Sequence, residues 1–126
     1  ITKNLSLILK GKIKKIVLGN INSKRDWGHA KDYVYAMWKM MQLNKPQDFV
    51  IGTGRTHSVK DFIKFAFQHV NLNYKKYIKI DKKLFRPNDK VILRANYSKA
   101  KKILKWKPNI SFKSLVKEMV EHDLNK

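Results

Sequence analysis

Arginine is scarce in this chain, so the places that keep it stand out. Of 29 basic residues, 25 are lysine and four are arginine. Two of the four sit in compact motifs, Lys24-Arg25-Asp26-Trp27 and Phe85-Arg86-Pro87. A guanidinium presents fixed parallel donors that bridge two phosphate oxygens, whereas an ammonium is a compact point charge. Arginine retained in a background pushed toward lysine hints at a geometric need, and adjacent phosphates are the chemistry that meets it. A plainer reading stays open at this point. Arg25 could pair with Asp26 or Asp32 at a helix start, and Arg86 with Asp89 could be an ordinary loop pair.

Other residues that could do chemistry give less. Tyr35…Lys39 and Tyr97…Lys101 place a phenol and an ammonium one helical turn apart, a spacing that can favour a phenolate. In a chain this rich in lysine, such pairs arise by chance. The histidines His29, His57, His69 and His122 form no metal-ligand spacing with one another or with paired carboxylates, so no metal site is expected. The five glycines make no GxGxxG or GxxGxxG fingerprint of the kind that cradles a dinucleotide pyrophosphate; Gly52-Thr53-Gly54 reads as a turn. No catalytic residue and no cofactor-binding residue is assigned.

A net charge of +20 first suggests a polyanion partner. The lysines, however, are spread over every segment, and arginine, the better reader of bases and phosphates, is rare. A generally solvated basic surface is expected, without a nucleic-acid interface. Cysteine is absent, which excludes disulfides and fits a reducing, cytoplasmic setting. The apolar runs are too short to cross a bilayer, and no secretory signal opens the chain. Ile1 is not an initiator methionine, so the chain reads as the tail of a longer polypeptide.

These residues need elements to hold them. Helices are expected over Ile1–Lys10 (Leu5, Ile8 and Leu9 on one face), His29–Leu43 (Ala30, Tyr33, Val34, Met37, Met40 and Met41 at helical spacing) and from Ser58 to about Val70 behind a Ser58/Asp61 capping box. A short helix capped by Ser98 runs to near Trp106. A final one is capped by Ser111, with Phe112, Leu115, Val116, Met119 and Val120 inward. Strands are expected at Lys15–Gly19, Asp48–Gly52 and Tyr77–Ile80. Asn20–Gly28 and Lys82–Asp89 read as irregular. The class is α/β, helix-rich, in one unit without repeats or linkers.

Several blocks together carry a family resemblance. Arg25-Asp26-Trp27-Gly28-His29-Ala30-Lys31-Asp32-Tyr33-Val34 with Ala36-Met37-Trp38, then Asp48-Phe49-Val50-Ile51, Thr56-His57-Ser58-Val59, Phe85-Arg86-Pro87 and Trp106-Lys107-Pro108 follow one another at a known spacing. In these the chain closely resembles the carboxyl-terminal, substrate-binding part of GDP-mannose 4,6-dehydratases, which are extended short-chain dehydrogenase/reductases. The resemblance covers nearly all of the sequence. It implies a chain that supplies the GDP-sugar grip and lacks the NADP-binding Rossmann domain, together with the Thr-x-Glu and Tyr-x-x-x-Lys machinery. It implies that Arg25 and Arg86 hold the diphosphate, that Asp89 contacts the ribose where the family usually has Glu, and that Ile1 and Asn4 lie near the guanine, Asn4 in place of a Lys. For an intact enzyme it implies NADP-dependent conversion of GDP-mannose to GDP-4-dehydro-6-deoxy-mannose and water, toward GDP-fucose and related deoxysugars, in a homo-oligomer. A related sugar-nucleotide dehydratase or reductase and a non-catalytic basic interaction module are the competing readings.

Overall fold

The computed structural model of the protein describes residues 1–86 and 92–126. Helix α1 (Thr2–Leu9) buries Leu5 and is closed by Gly11, whose φ of 68° lies in the left-handed region that glycine enters at no steric cost. The Gly11 N–H donates to Ile8 O at 3.0 Å and the Lys12 N–H to Leu7 O at 2.9 Å, the paired return bonds that satisfy a helix's last carbonyls. Leu9, expected on the inner face, is exposed, because the helix ends there and turns outward.

Strand β1 (Ile16–Leu18) pairs parallel with β4 (Ile78–Ile80), Ile16 opposite Ile78. Strand β2 (Lys24–Asp26) pairs antiparallel with β3 (Thr56–Ser58), Arg25 opposite His57. β2 corrects the expectation of an irregular 20–28 segment. Its Lys-Arg-Asp composition carries no strand signal, and the pairing with β3 supplies what local preference lacks.

Helix α2 (Ala30–Met41) follows, capped by the His29 ring, which accepts from the Lys31 N–H at 3.0 Å. α3 (Val59–His69) starts at the expected capping box. The Asp61 N–H donates to the Ser58 hydroxyl at 3.0 Å, and the Ser58 N–H to the Asp61 carboxylate at 2.8 Å. Two 3₁₀ turns, Tyr74–Lys76 and Lys82–Leu84, flank β4. α4 (Ser98–Ile103) and α5 (Phe112–Leu124) complete the chain. Ser98 is the first residue of α4 rather than its side-chain cap, and α4 ends before Lys105, whose φ of 49° turns the backbone away from the helix.

Two cores form. Leu5, Ile16, Phe62, Ile63, Phe67, Phe112, Val116 and Val120 join α1, β1, α3 and α5. Ala36, Ala100, Leu104 and Trp106 join α2 to α4 and the segment after it. The α2 helix sits where expected, and Tyr33 and Met40 of its apolar stripe pack on the second core, but Val34, 62% exposed, Met37 and Met41, 81% exposed, face out. The buried side is instead anchored by Asp32, whose carboxylate accepts the Asn109 and Ile110 N–H groups at 3.0 and 2.9 Å, while its carbonyl accepts from Trp106 Nε1 at 2.9 Å. Three hydrogen bonds to one residue outweigh the stripe in deciding the helix's rotation. Residues 48–52 form no strand. Phe49 and Ile51 pack on the second core, Val50 is 55% exposed, and no strand among the described residues lies alongside. Met119, expected inward on α5, is exposed, since the buried line runs Phe112, Val116, Val120.

Candidate functional site

An extended chain turns alternate side chains to opposite sides. Along β2 and its flanks, Ser23, Arg25 and Trp27 therefore share one side, and all three line an open cleft of about 560 Å³. The end of β1 and residues 19–21 form a second wall, and the 3₁₀ turn Lys82–Leu84 brings Leu84 and Arg86 to a third. Glycine is required at position 19 for this approach, because a Cβ there would lie 2.6 Å from the Leu84 carbonyl oxygen. Trp27 is held as a rigid wall, its ring centroid 4.9 Å from that of Phe62 and 5.8 Å from that of Phe112. Its Nε1 is enclosed with no hydrogen-bond partner among the described residues. Val17, Leu18, Ile21 and Leu84 give the cleft an apolar lining, and Arg25 and Arg86 give it two guanidiniums. One Arg25 Nη donates to the Lys24 carbonyl at 2.8 Å, and Arg86 is exposed. Such a cleft can receive a ligand with a flat apolar part and a doubly anionic part.

Asp26, on the opposite side of β2, fixes the strand to the rest of the molecule. Its carboxylate accepts the N–H groups of Thr53 (2.8 Å), Gly54 (2.9 Å) and Ala95 (3.1 Å) and the Thr53 hydroxyl. Burial is the largest single influence and pushes this carboxyl up, but the bonds from Thr53, Ala95 and Gly54 together hold it below the usual aspartate value. Asp61 is lowered as well, chiefly by its bonds from Ser58. A carboxyl lowered in the folded state contributes stability that is present above the unfolded value, near pH 4, and is lost as pH falls through the folded one. Stability is therefore expected to fall below about pH 4, and Asp26→Asn is expected to make that acid limb shallower. Thermal melts between neutral pH and pH 2 measure it; an unchanged acid limb in Asp26→Asn would contradict the assignment.

The structure brings Arg25 and Arg86 together. Ile1 packs against the first core and Asn4 is half-buried on α1; neither lines the cleft. Asp89 lies outside the described residues. Tyr35 stacks on Trp38, the Lys39 ammonium sits 5.1 Å over the Tyr35 ring centroid, and neither residue lines the cleft. Tyr97 packs edge-on against Trp106. Among the histidines, His29 Nε2 meets Glu118 at 3.1 Å, His57 stacks on Phe112, and His69 Nε2 lies 3.3 Å from Glu121. Among the described residues, no group of histidines and carboxylates could hold a metal ion. Sequence reasoning missed Ser23 and Trp27 as cleft residues. The signal was the period-2 series 23, 25, 27, hidden because the segment did not read as a strand.

A profile of the family described as GDP-mannose 4,6 dehydratase matches residues 1–119. The chain belongs to the GDP-mannose 4,6-dehydratase family. It is 48% identical to GDP-mannose 4,6 dehydratase 1 of Arabidopsis thaliana and 45% identical to GDP-mannose 4,6 dehydratase of Dictyostelium discoideum, with 98% of this chain covered in each comparison. It is 39% identical to the Homo sapiens enzyme of the same name, again over 98% of the chain. The chain spans only 34%, 40% and 38% of those relatives' lengths. Among solved structures, the fold superposes on RMD from Pseudomonas aeruginosa, solved with NADPH, with a TM-score of 0.87 at 14% identity, over 98% of this chain and 41% of that one. A dTDP-glucose 4,6-dehydratase from Bacillus anthracis, solved with NAD, gives a TM-score of 0.78 at 20% identity, over 96% and 38%. The fold is thus that of sugar-nucleotide dehydratases and their relatives, of which this member of the GDP-mannose 4,6-dehydratase family represents somewhat over a third. Among the described residues, no strand leads through a glycine-rich turn into a helix: β3 runs directly into α3, and α2 is capped by the His29 side chain.

Proposed function

We propose that this chain is the part of a GDP-mannose 4,6-dehydratase that grips GDP-mannose, with Arg25 and Arg86 as the diphosphate clamp. One observation carries the reading: two arginines distant in sequence converge on one cleft with an apolar lining. The apolar walls suit a base, and the guanidiniums suit the two phosphates; Asp89 is the proposed ribose contact. The chain's own contribution to the reaction is to bind and orient the sugar nucleotide. NADP, which would take a hydride from the sugar and return it after water is lost as GDP-mannose becomes GDP-4-dehydro-6-deoxy-mannose toward GDP-fucose, would be held by residues outside this chain. The reading extends to a cytoplasmic, homo-oligomeric enzyme that binds neither nucleic acid nor membrane. Among the described residues, no helix is long and apolar enough to cross a bilayer.

Calorimetric titration at physiological salt (about 0.15 M) tests the reading against a plain basic module. GDP-mannose is expected to bind saturably and with only a shallow dependence on salt, while NADP gives no saturable binding. Affinity that collapses steeply as salt rises, with no preference for GDP-mannose over a single-stranded oligonucleotide, would replace the clamp by bulk charge.

The outward face of α2 bears on the same reading. Val34, Met37, Trp38 and Met41 project from it into solvent, a contiguous apolar strip of the sort that marks a contact surface. The chain on its own is expected to self-associate, and Met37→Glu with Met41→Glu to reduce that association. Sedimentation velocity measures it; a clean monomer of the unsubstituted chain at high concentration would contradict this expectation.

A further inference from the structure

We propose that the Ser23 hydroxyl is a ligand contact, donating a hydrogen bond to a diphosphate oxygen beside Arg25; this rests on the reading that GDP-mannose occupies the cleft. Ser23 is only 6% exposed, and its backbone is committed, with its N–H donating to Asn20 O at 3.4 Å and its carbonyl accepting from the Val59 N–H at 3.0 Å. Its hydroxyl makes no hydrogen bond among the described residues, in contrast to the hydroxyls of Ser58 and Ser111, which cap helices. Nor is the oxygen sealed in, as Trp27 Nε1 is; the residue lines the cleft. Solvent in the cleft satisfies this hydroxyl in the free chain, and a ligand that displaces that solvent must offer an acceptor in its place or leave a buried donor unpaired. The ligand is the partner the geometry offers.

Its place on β2 says which part of the ligand. Ser23 and Arg25 point to the same side, about 6.6 Å apart along the strand, and Arg25's long side chain spans that interval easily. A single diphosphate can therefore meet both. The two roles differ: the guanidinium supplies charge and a planar fork, while the hydroxyl supplies one directional neutral donor from a backbone pinned at both its amide and its carbonyl.

The test is Ser23→Ala in the full chain, with GDP as ligand. GDP affinity should fall about fivefold, as expected for one hydrogen bond. The ³¹P resonances of bound GDP should shift relative to the unsubstituted complex, and the urea midpoint of the free chain should stay the same or rise. Unchanged affinity, weaker binding with unmoved ³¹P resonances, or a lowered urea midpoint would each overturn the proposal, the last by showing a structural bond. These outcomes leave the clamp reading standing. Failure of the unsubstituted chain to bind GDP better than inorganic pyrophosphate would remove both.

Discussion

Replacing Arg25 or Arg86 by lysine is expected to lower the chain's affinity for GDP-mannose about tenfold or more. A charge-assisted bond contributes roughly 1.5–3 kcal/mol, a ten- to hundredfold effect, and an ammonium cannot reproduce the guanidinium's two parallel donors. Net charge is unchanged by these substitutions, so any loss reports geometry and not bulk attraction. Lys75→Ala removes a charge from the 3₁₀ turn Tyr74–Lys76, outside the cleft lining, and is expected to do almost nothing. Calorimetry on the three variants decides it. Unchanged binding in both arginine variants, together with weaker binding in Lys75→Ala, would mean that the cleft is not the site.

Trp106→Ala is the substitution expected to cost most in stability. Trp106 is 1% exposed, fills the second core between α2 and α4, and ties that core to Asp32 through its indole N–H. Truncating a buried tryptophan costs about 3–5 kcal/mol, a large share of the roughly 5–15 kcal/mol that holds a domain folded. Trp38, equally large but more than half exposed on α2, serves as the control, and its loss is expected within about 0.5 kcal/mol. Urea unfolding of the two variants measures the contrast. Equal losses would mean that α2 is rotated from the position described, with its apolar strip inward.

That rotation is where sequence reasoning and structure part. Wherever helix ends and periodicity agree, the sequence is readable: Gly11 closes α1, the Ser58/Asp61 box opens α3, and Phe112, Val116 and Val120 mark α5. In α2 the periodic stripe is present, yet Asp32 decides the buried side through bonds to residues 106, 109 and 110. A polar anchor to a distant segment leaves no local pattern. The apolar run at 48–52 reads as a buried strand because its composition is right, but pairing needs a neighbour and none of the described strands lies beside it. β2 shows the reverse case, a charged tripeptide made into a strand by β3 and by the four donors that converge on Asp26. Half of the cleft was therefore legible. Arg25 and Arg86 stand out by scarcity and motif, whereas Ser23 and Trp27 join them only once the strand's alternation is seen.

The most direct test of the central claim is to see where GDP-mannose sits. Backbone amide shifts in ¹⁵N-labelled chain, followed through a GDP-mannose titration, should move at 17–21, 23–27 and 84–86, the three walls of the cleft. They should stay still in the groove between α3 and α5 around Gln68, His69 and Lys117. Shifts confined to that groove, or scattered evenly over the lysine-rich surface, would contradict the account.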